Sequence, residues 1–337
     1  MRCLTLADAL KQSGARTRFI SRHLPECLRS MLAVHECVLL DGVQYPAEID
    51  ELAHAHWLGV SQMRDATETL RSISDESWDW LVVDHYALDA RWEYTLRQKV
   101  RKILVIDDLA DRNHYSDVLL DQNLCSDMNN RYTKKIPTHC KLLLGPHYAL
   151  LRDEFRQMHK QTKLRSGSIK RVLVFFGGVD ADNCTGIAIE VLAKAAMPGM
   201  QVDVVIGAQH PCLDQIKVAC ARYEFYCYVQ TDKMAELMAT ADLAIGAAGS
   251  ASWERCCLGL PTLLVALADN QIRIAEGLDV IGAGIYVGTL NKAITPNMLS
   301  AMLSLLHSPD QFTSLSEKAY SLVDGLGAGR VLQEMRG

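Results

Sequence analysis

The sequence predicts an α/β chain made of two doubly wound halves. Three observations predict it. Short runs rich in Val, Ile and Leu recur along the 337 residues, most are followed by Gly, Asp or Asn, and stretches with helical spacing separate them. Continuous apolar strands alternating with helices imply parallel sheets covered on both faces. At roughly 150 residues per domain the length accommodates two such units.

Taken in order, Leu4–Leu10 closed by Gly14 reads as a helix, and Thr17–Ser21 as the strand after it. A nucleotide-binding α/β half ordinarily opens with a strand and a tight loop ahead of that helix. The first domain is therefore expected to lack the first strand of its own sheet. Further strands are expected at Trp80–Asp84, Ile103–Asp107 and Val118–Leu120. Lys160–Arg171 carries five Lys or Arg around Ser-Gly-Ser and has no apolar stretch. It reads as a solvated connector between domains 1–160 and 170–337. Strands resume at Val172–Phe176, Val202–Ile206, Leu243–Gly246 and Thr262–Leu267. Pro309–Val323 reads as a helix broken by Gly325, Gly327 and Gly329.

Composition removes several functional classes. Hydrophobic residues are 49% and charged residues 22%, an ordinary globular balance. The net charge of −5 shows no basic excess, so no nucleic-acid partner is expected. The longest apolar run, Leu263–Ala268, is far short of the ~20 residues that span a bilayer, so no membrane partner is expected. Eleven Cys with no CxxC pair argue against a disulfide framework or zinc knuckle and for a reducing, cytoplasmic setting. His54 and His56 point apart on a helix, which disfavours a metal site between them. No metal and no cofactor is expected.

The motifs sit at strand ends. Asp242 to Arg255 reads as strand, glycine loop, helix, with Gly246 and Gly249 permitting close approach of a ligand. Ser250 or Ser252 can cap the helix, whose N-terminus favours a phosphate. Glu254, one turn in, can accept bonds from both hydroxyls of a ribose, or simply cap a positive helix end. Gly177-Gly178 follows the first strand of the second half, but lacks the third glycine of a dinucleotide fingerprint and the Lys-Ser/Thr of a Walker loop. NAD and ATP are therefore poorly supported, and a plain βα turn and a loop facing a pyrophosphate are equally compatible with it. Asn270-Gln271 at the end of another strand offers neutral groups to a sugar, and Asp269 or Asn270 can equally cap a helix. In the first half Asp84, His85 and Tyr86 end one strand, Asp107 and Asp108 the next, and Asp121 to Asn123 another. Alternation puts Asp84 and Tyr86 on one face.

With these motifs in place, a resemblance is visible. The runs VVDHYALDARWE (Val82–Glu93), VIDDLADRNHYSDVLLDQN (Val105–Asn123), LLGPHYALLRDEF (Leu143–Phe155), VLVFFGGVDADN (Val172–Asn183) and the long block Met234–Gln271 together resemble the UDP-2,4-diacetamido-2,4,6-trideoxy-β-L-altropyranose hydrolases of pseudaminic acid biosynthesis. The resemblance covers nearly the whole chain, in order. It implies two Rossmann-like domains facing a cleft, a GT-B-like fold. It implies hydrolysis of a small-molecule UDP-sugar at C1 with inversion, releasing UDP without a metal. It would place Glu254 on the ribose, Gly249, Ser250 and Ala251 at the pyrophosphate, and Asn270 and Gln271 at sugar or phosphates. Gly177 and Gly178 would line the opposite side, and Tyr86, supported by Asp84, would act at the reacting sugar.

The family opens with a strand and a Gly-x-Gly-His-x-x-Arg loop whose His is the proposed general base. Arg2 matches the Arg of that loop and would bind substrate, while the His falls ahead of Met1. The expectation is therefore a chain whose native start lies upstream. Three alternatives remain: a glycosyltransferase using a UDP-amino sugar, a catalytically impaired nucleotide-sugar binder, and a sugar epimerase. A monomer or weak homo-oligomer is expected.

Overall fold

The computed structural model describes residues 1–24, 26–42, 50–195, 199–292 and 294–336. The chain divides into two compact units. Unit 1 comprises Met1–Asn123, Asp127–Leu150 and Gly327–Gly337, and unit 2 comprises Leu124–Ser126 and Leu151–Leu326.

Unit 1 begins with α1 (Arg2–Gln12), β1 (Arg18–Ser21), α2 (Glu26–Leu32) and β2 (Glu36–Leu39). It continues with α3 (Gln62–Ser72), β3 (Trp78–Val83), α4 (Ala90–Leu96), β4 (Val100–Ile106), β5 (Val118–Asp121) and β6 (Lys141–Leu144). β1 and β2 pair in parallel as a sheet of their own, and β3-β4-β5-β6 form a second parallel sheet. Period-two alternation sends Trp80 and Val82 to one apolar cluster with Leu6, Leu104 and Ile106, and Leu81 and Val83 to another with Ile73 and Trp92. Helix starts follow local chemistry: Ser61 accepts from the Arg64 amide to open α3, and Asp89 accepts from the Arg91 amide at 2.9 Å to open α4.

Unit 2 contains α5 (Asp153–His159), β7 (Arg171–Phe175), α6 (Cys184–Ala195), β8 (Gln201–Ile206), α7 (Leu213–Arg222) and β9 (Tyr226–Val229). Then come α8 (Met234–Thr240), β10 (Leu243–Ala247), α9 (Ala251–Cys257), β11 (Thr262–Ala266), α10 (Asp269–Val280), β12 (Ile285–Thr289), α11 (Ile294–Leu306) and α12 (Pro309–Leu322). The sheet is parallel throughout, in the order β12-β11-β10-β7-β8-β9. β7, β10 and β11 are built from residues such as Val172, Ile245 and Leu263 that lie fully inside one cluster, as strands covered on both faces require. The chain then returns to unit 1 with α13 (Gly327–Arg336), where Val331 and Met335 pack with Leu6 and Trp80 donates to the Met335 carbonyl at 2.8 Å.

The helix expected over Pro309–Val323 is α12, and it breaks ahead of Gly325, while Gly327 and Gly329 lie inside the next helix, α13. One expectation needs correction. The segment Lys160–Arg171 is not a free linker. Residues 151–160 already belong to unit 2, where His159 bonds the Cys257 carbonyl at 2.6 Å. Within the charged run Arg165 is buried and donates to the carbonyls of Met238, Ala239, Ala241 and Leu258. A guanidinium with several donors is well suited to collect helix-end carbonyls, and its burial pushes its pKa down to about 10.

Candidate functional site

In unit 2 the strand order reverses between β10 and β7, and open α/β sheets bind ligands at the carboxyl ends of strands beside such a reversal. Three loops leave the sheet there, from the neighbouring strands β7, β10 and β11, and each is exposed: Gly178-Val179, Ser250, and Ala268–Asn270. A Cβ built on Gly249 would lie 3.6 Å from Gln271 Nε2, so the second and third loops meet. Gln271 is fixed by accepting from the Leu267 amide at 3.0 Å. Asn270 stays exposed. Neither it nor Asp269 caps α10, whose N-cap is Ala268 with no side-chain bond.

The two glycines after β10 do different things. Gly246 is demanded by packing: a Cβ there would come within 2.3 Å of the Phe175 carbonyl oxygen. A Cβ on Gly249 would meet only the Gln271 amide in ordinary contact, and Ala251 follows at the first position of α9. Ser250 is the N-cap residue but makes no side-chain capping bond, and Ser252 is buried, accepting from Arg255 at 3.0 Å. The expected capping serine is thus absent as a bond, which leaves the Ser250 hydroxyl exposed. α9 has only seven residues, so loop amides rather than a long helix dipole supply its attraction for an anion.

Glu254 stands one turn into α9, half-buried, with no hydrogen bond to its carboxylate among the described residues. Burial pushes its pKa above the ordinary range, and the nearby Arg152 only partly opposes this. On the other side Gly177 adopts φ +102. Gly178 is held close to Gly207, where a Cβ would fall 1.9 Å from the Gly178 oxygen. Asp180 locks the loop below by accepting from the Cys184 and Thr185 amides at 2.9 and 2.8 Å and lying 3.2 Å from His210 Nε2.

Unit 1 gathers a second polar group at the carboxyl ends of β3, β4 and β5. Arg2 bonds both oxygens of Asp84, the shortest contact being 2.7 Å, and reaches Asp108 at 3.2 Å. Tyr86 donates to Asp108 at 2.6 Å, and Asn123 Nδ2 lies 3.3 Å from the same carboxylate. Burial would raise Asp84, but the Arg2 guanidinium outweighs it and holds the carboxyl below its ordinary range. Burial, then Asp108, raises the Tyr86 hydroxyl, so it stays protonated. Asp84 and Tyr86 lie just past β3 yet converge on one group, as alternation from the strand anticipates.

Sequence reading passed over two parts of this group. Asp108 was visible as one of several strand-end acids but not separable from Asp107, which instead turns inward to Arg112 at 2.8 Å. His54 and Trp57 pack beside Tyr86, with ring centroids 5.6 and 5.8 Å away. Among the described residues no group of three or more His, Cys, Asp or Glu side chains is placed to hold a metal ion, and no helix is long and apolar enough to cross a membrane.

The glycosyltransferase family 28 C-terminal domain matches residues 171–323. The uncharacterized protein MJ1062 of Methanocaldococcus jannaschii is 27% identical over 64% of this chain, and the match spans only 45% of that protein's length. The spore coat polysaccharide biosynthesis protein SpsG of Bacillus subtilis is 24% identical over 83% of each chain. A UDP-2,4-diacetamido-2,4,6-trideoxy-β-L-altropyranose hydrolase of Campylobacter jejuni is 24% identical over 63% of this chain and 74% of its own. Among solved structures, Acinetobacter baumannii MurG superposes with a TM-score of 0.67 at 16% identity, covering 99% of this chain and 95% of that one. The spinosyn rhamnosyltransferase SpnG, in complex with thymidine diphosphate, gives 0.65 at 16% identity, covering 98% and 96%. Residues 171–323 thus match a glycosyltransferase family 28 C-terminal domain, in a chain with the α/β fold of the GT-B glycosyltransferases MurG and SpnG.

Proposed function

We propose that the protein hydrolyses a UDP-sugar, with UDP-2,4-diacetamido-2,4,6-trideoxy-β-L-altropyranose as the substrate, to UDP and the free sugar with inversion at C1. The observation that carries this reading is that the Gly177-Gly178, Gly249-Ser250 and Asn270-Gln271 loops follow the neighbouring strands β7, β10 and β11 at the strand-order reversal of unit 2, with Glu254 one turn into α9 and making no side-chain hydrogen bond among the described residues. In this reading the loop amides hold the diphosphate, and Glu254 accepts from the ribose hydroxyls. Asn270 and Gln271 contact sugar or phosphate. The likeness to the Campylobacter hydrolase supports the choice of substrate.

The chemistry needs few groups. Water oxygen bonds to C1 as the C1–O bond to the diphosphate breaks, and the bonding pair leaves on UDP. Preorganised amides stabilise that charge, so no leaving-group acid is required. Tyr86, whose proton is held by Asp108, is the residue that the resemblance assigns to the reacting sugar, and Asp84 holds Arg2 in the same unit 1 group. The proton lost by the water is released to solvent.

A second reading, transfer of the sugar to an acceptor hydroxyl, is favoured by the match to the family 28 domain. Phosphorus and proton NMR of the protein incubated with UDP-sugars separates the two. Hydrolysis gives UDP and an inverted free sugar without any acceptor. An acceptor requirement for UDP release would overturn the hydrolase and favour transfer.

A further inference from the structure

Two aromatic side chains without a part in the hydrolysis pack against Tyr86. Ala55–Trp57 forms a single 3₁₀ turn, closed by the Trp57 amide donating to the His54 carbonyl at 2.9 Å. Side chains three residues apart eclipse in such a turn. His54 and Trp57 therefore fall on one side of it, with ring centroids 4.6 Å apart. Both reach Tyr86, at 5.6 and 5.8 Å, so three rings meet in one tilted group. This is not core packing. Trp57 is 55% exposed, whereas the other four tryptophans are buried or half-buried. The ring nitrogens of the half-buried His54 make no hydrogen bond among the described residues.

Tyr86 joins these rings to the polar group at the carboxyl ends of β3 and β4. Its hydroxyl donates to Asp108, and the Arg112 guanidinium lies 5.8 Å from its ring, so its position does not rest on Trp57 alone. Arg2 is already shared between Asp84 and Asp108, which suits the group to an uncharged ligand rather than to a phosphate. Apolar ring surface beside hydrogen-bonding groups is the chemistry that recognises an acylated sugar. Its acyl methyls and C–H bonds seek aromatic surface, while its amides and hydroxyls seek carboxylates and imidazole nitrogens.

We propose that His54 and Trp57 form a specificity-determining wall beside Tyr86 that receives the methyl groups of an N-acylated, deoxygenated sugar. The inference rests on the UDP-sugar reading for the identity of that sugar. 2,4-Diacetamido-2,4,6-trideoxy-L-altropyranose carries a methyl on each acetamido group and a third at C6. N-acetylglucosamine carries one methyl, and its C6 bears a hydroxyl. Each methyl lost from an apolar contact lowers selection by roughly tenfold or more. The wall acts on which sugar is held, and takes no part in breaking the C1–O bond.

The test follows the methyl protons of free 2,4-diacetamido-2,4,6-trideoxy-L-altropyranose by saturation-transfer NMR, with N-acetylglucosamine as the comparison sugar. KM for the UDP-linked diacetamido sugar is measured alongside. The expected result is transfer to the methyl protons in the native protein, with affinity at least tenfold weaker for N-acetylglucosamine. Trp57→Ala weakens binding of the diacetamido sugar and raises KM, each by at least tenfold, and Trp57→Phe recovers most of both. UDP affinity by calorimetry and Tm are the same in both variants as in the native protein, which a merely structural role for Trp57 would not give. Three outcomes overturn the proposal: no methyl transfer in the native protein, equal affinity for the two sugars, or binding and KM indifferent to Trp57→Ala. Free sugar bound through Trp57 with no hydrolysis of the UDP-sugar supports the wall and sinks the hydrolase reading instead. Hydrolysis that proceeds with the same KM in Trp57→Ala does the reverse.

Discussion

Tyr86 donates its hydroxyl to Asp108 at 2.6 Å while Arg2 bridges Asp108 to Asp84. The tyrosine hydroxyl is thereby committed as a donor, which leaves its oxygen able to accept. Tyr86→Phe removes that oxygen and leaves the carboxylates paired. A hydrogen bond to a charged group is worth about 1.5–3 kcal/mol, so turnover of the UDP-sugar should fall roughly 10- to 100-fold. UDP affinity, measured by calorimetry, should hold within a factor of two to three. An equal loss of affinity would move Tyr86 out of the reacting group.

The two glycines after β10 should separate fold from binding. Gly246→Ala drives a Cβ toward the Phe175 carbonyl oxygen. Overpacking of this kind costs about 1–3 kcal/mol, which thermal unfolding reads as a drop of several degrees in Tm. Gly249→Ala meets only open space and the tip of Gln271. Its Tm should be unchanged, and its affinity for UDP should fall at least tenfold. Normal UDP binding by Gly249→Ala would remove that loop from the proposed site.

Glu254 gives the site a pH dependence of definite sign. The carboxylate, not the acid, accepts from ribose hydroxyls, and burial raises its pKa above the ordinary 4.5. UDP affinity should therefore weaken as the solution is acidified, at a higher pH than an ordinary carboxylate would give. Glu254→Gln should flatten this profile and lower affinity about tenfold at neutral pH. An unchanged profile in Glu254→Gln would assign the pH dependence to another group.

His114 couples stability to pH. It is buried, 2.7 Å from Glu93 and 3.7 Å from Asp107. Burial opposes its charge, but the two carboxylates prevail and raise its pKa from 6.5 to about 9. A raised histidine stabilises the fold fully below its unfolded pKa, and the contribution is lost as pH rises through the folded one. At ~1.4 kcal/mol per unit this is on the order of 3 kcal/mol. Tm should fall between pH 6.5 and 9, and His114→Gln should be less stable at pH 6 with a shallower slope. The Asp107 turn that presents Asp108 depends on this pair, since Asp107 also accepts from the Ala110 amide at 2.9 Å.

The strands with fully apolar sequences were legible from sequence. Val172–Phe176 and Leu243–Gly246 match β7 and β10 to within a residue, because a strand buried on both faces leaves no polar positions to confuse the reading. β9 and β12 were not legible. Tyr226–Val229 and Ile285–Thr289 are half-buried edges with mixed residues, and Gly288 interrupts the second. The return of α13 to unit 1 was hidden because its glycines read as breakers, although Val331 and Met335 give it one apolar face. Of the site, the loop positions were visible from spacing. The partnership of Tyr86 with Asp108 was not, because it joins the ends of two strands whose register no local pattern states.

The most direct test is titration of the protein with UDP by isothermal calorimetry, alongside Gly249→Ala and Glu254→Gln. The account predicts one site per chain, weakened at least tenfold by each substitution while Tm is preserved. No measurable affinity for UDP in the folded protein, or affinity indifferent to both substitutions, would contradict it.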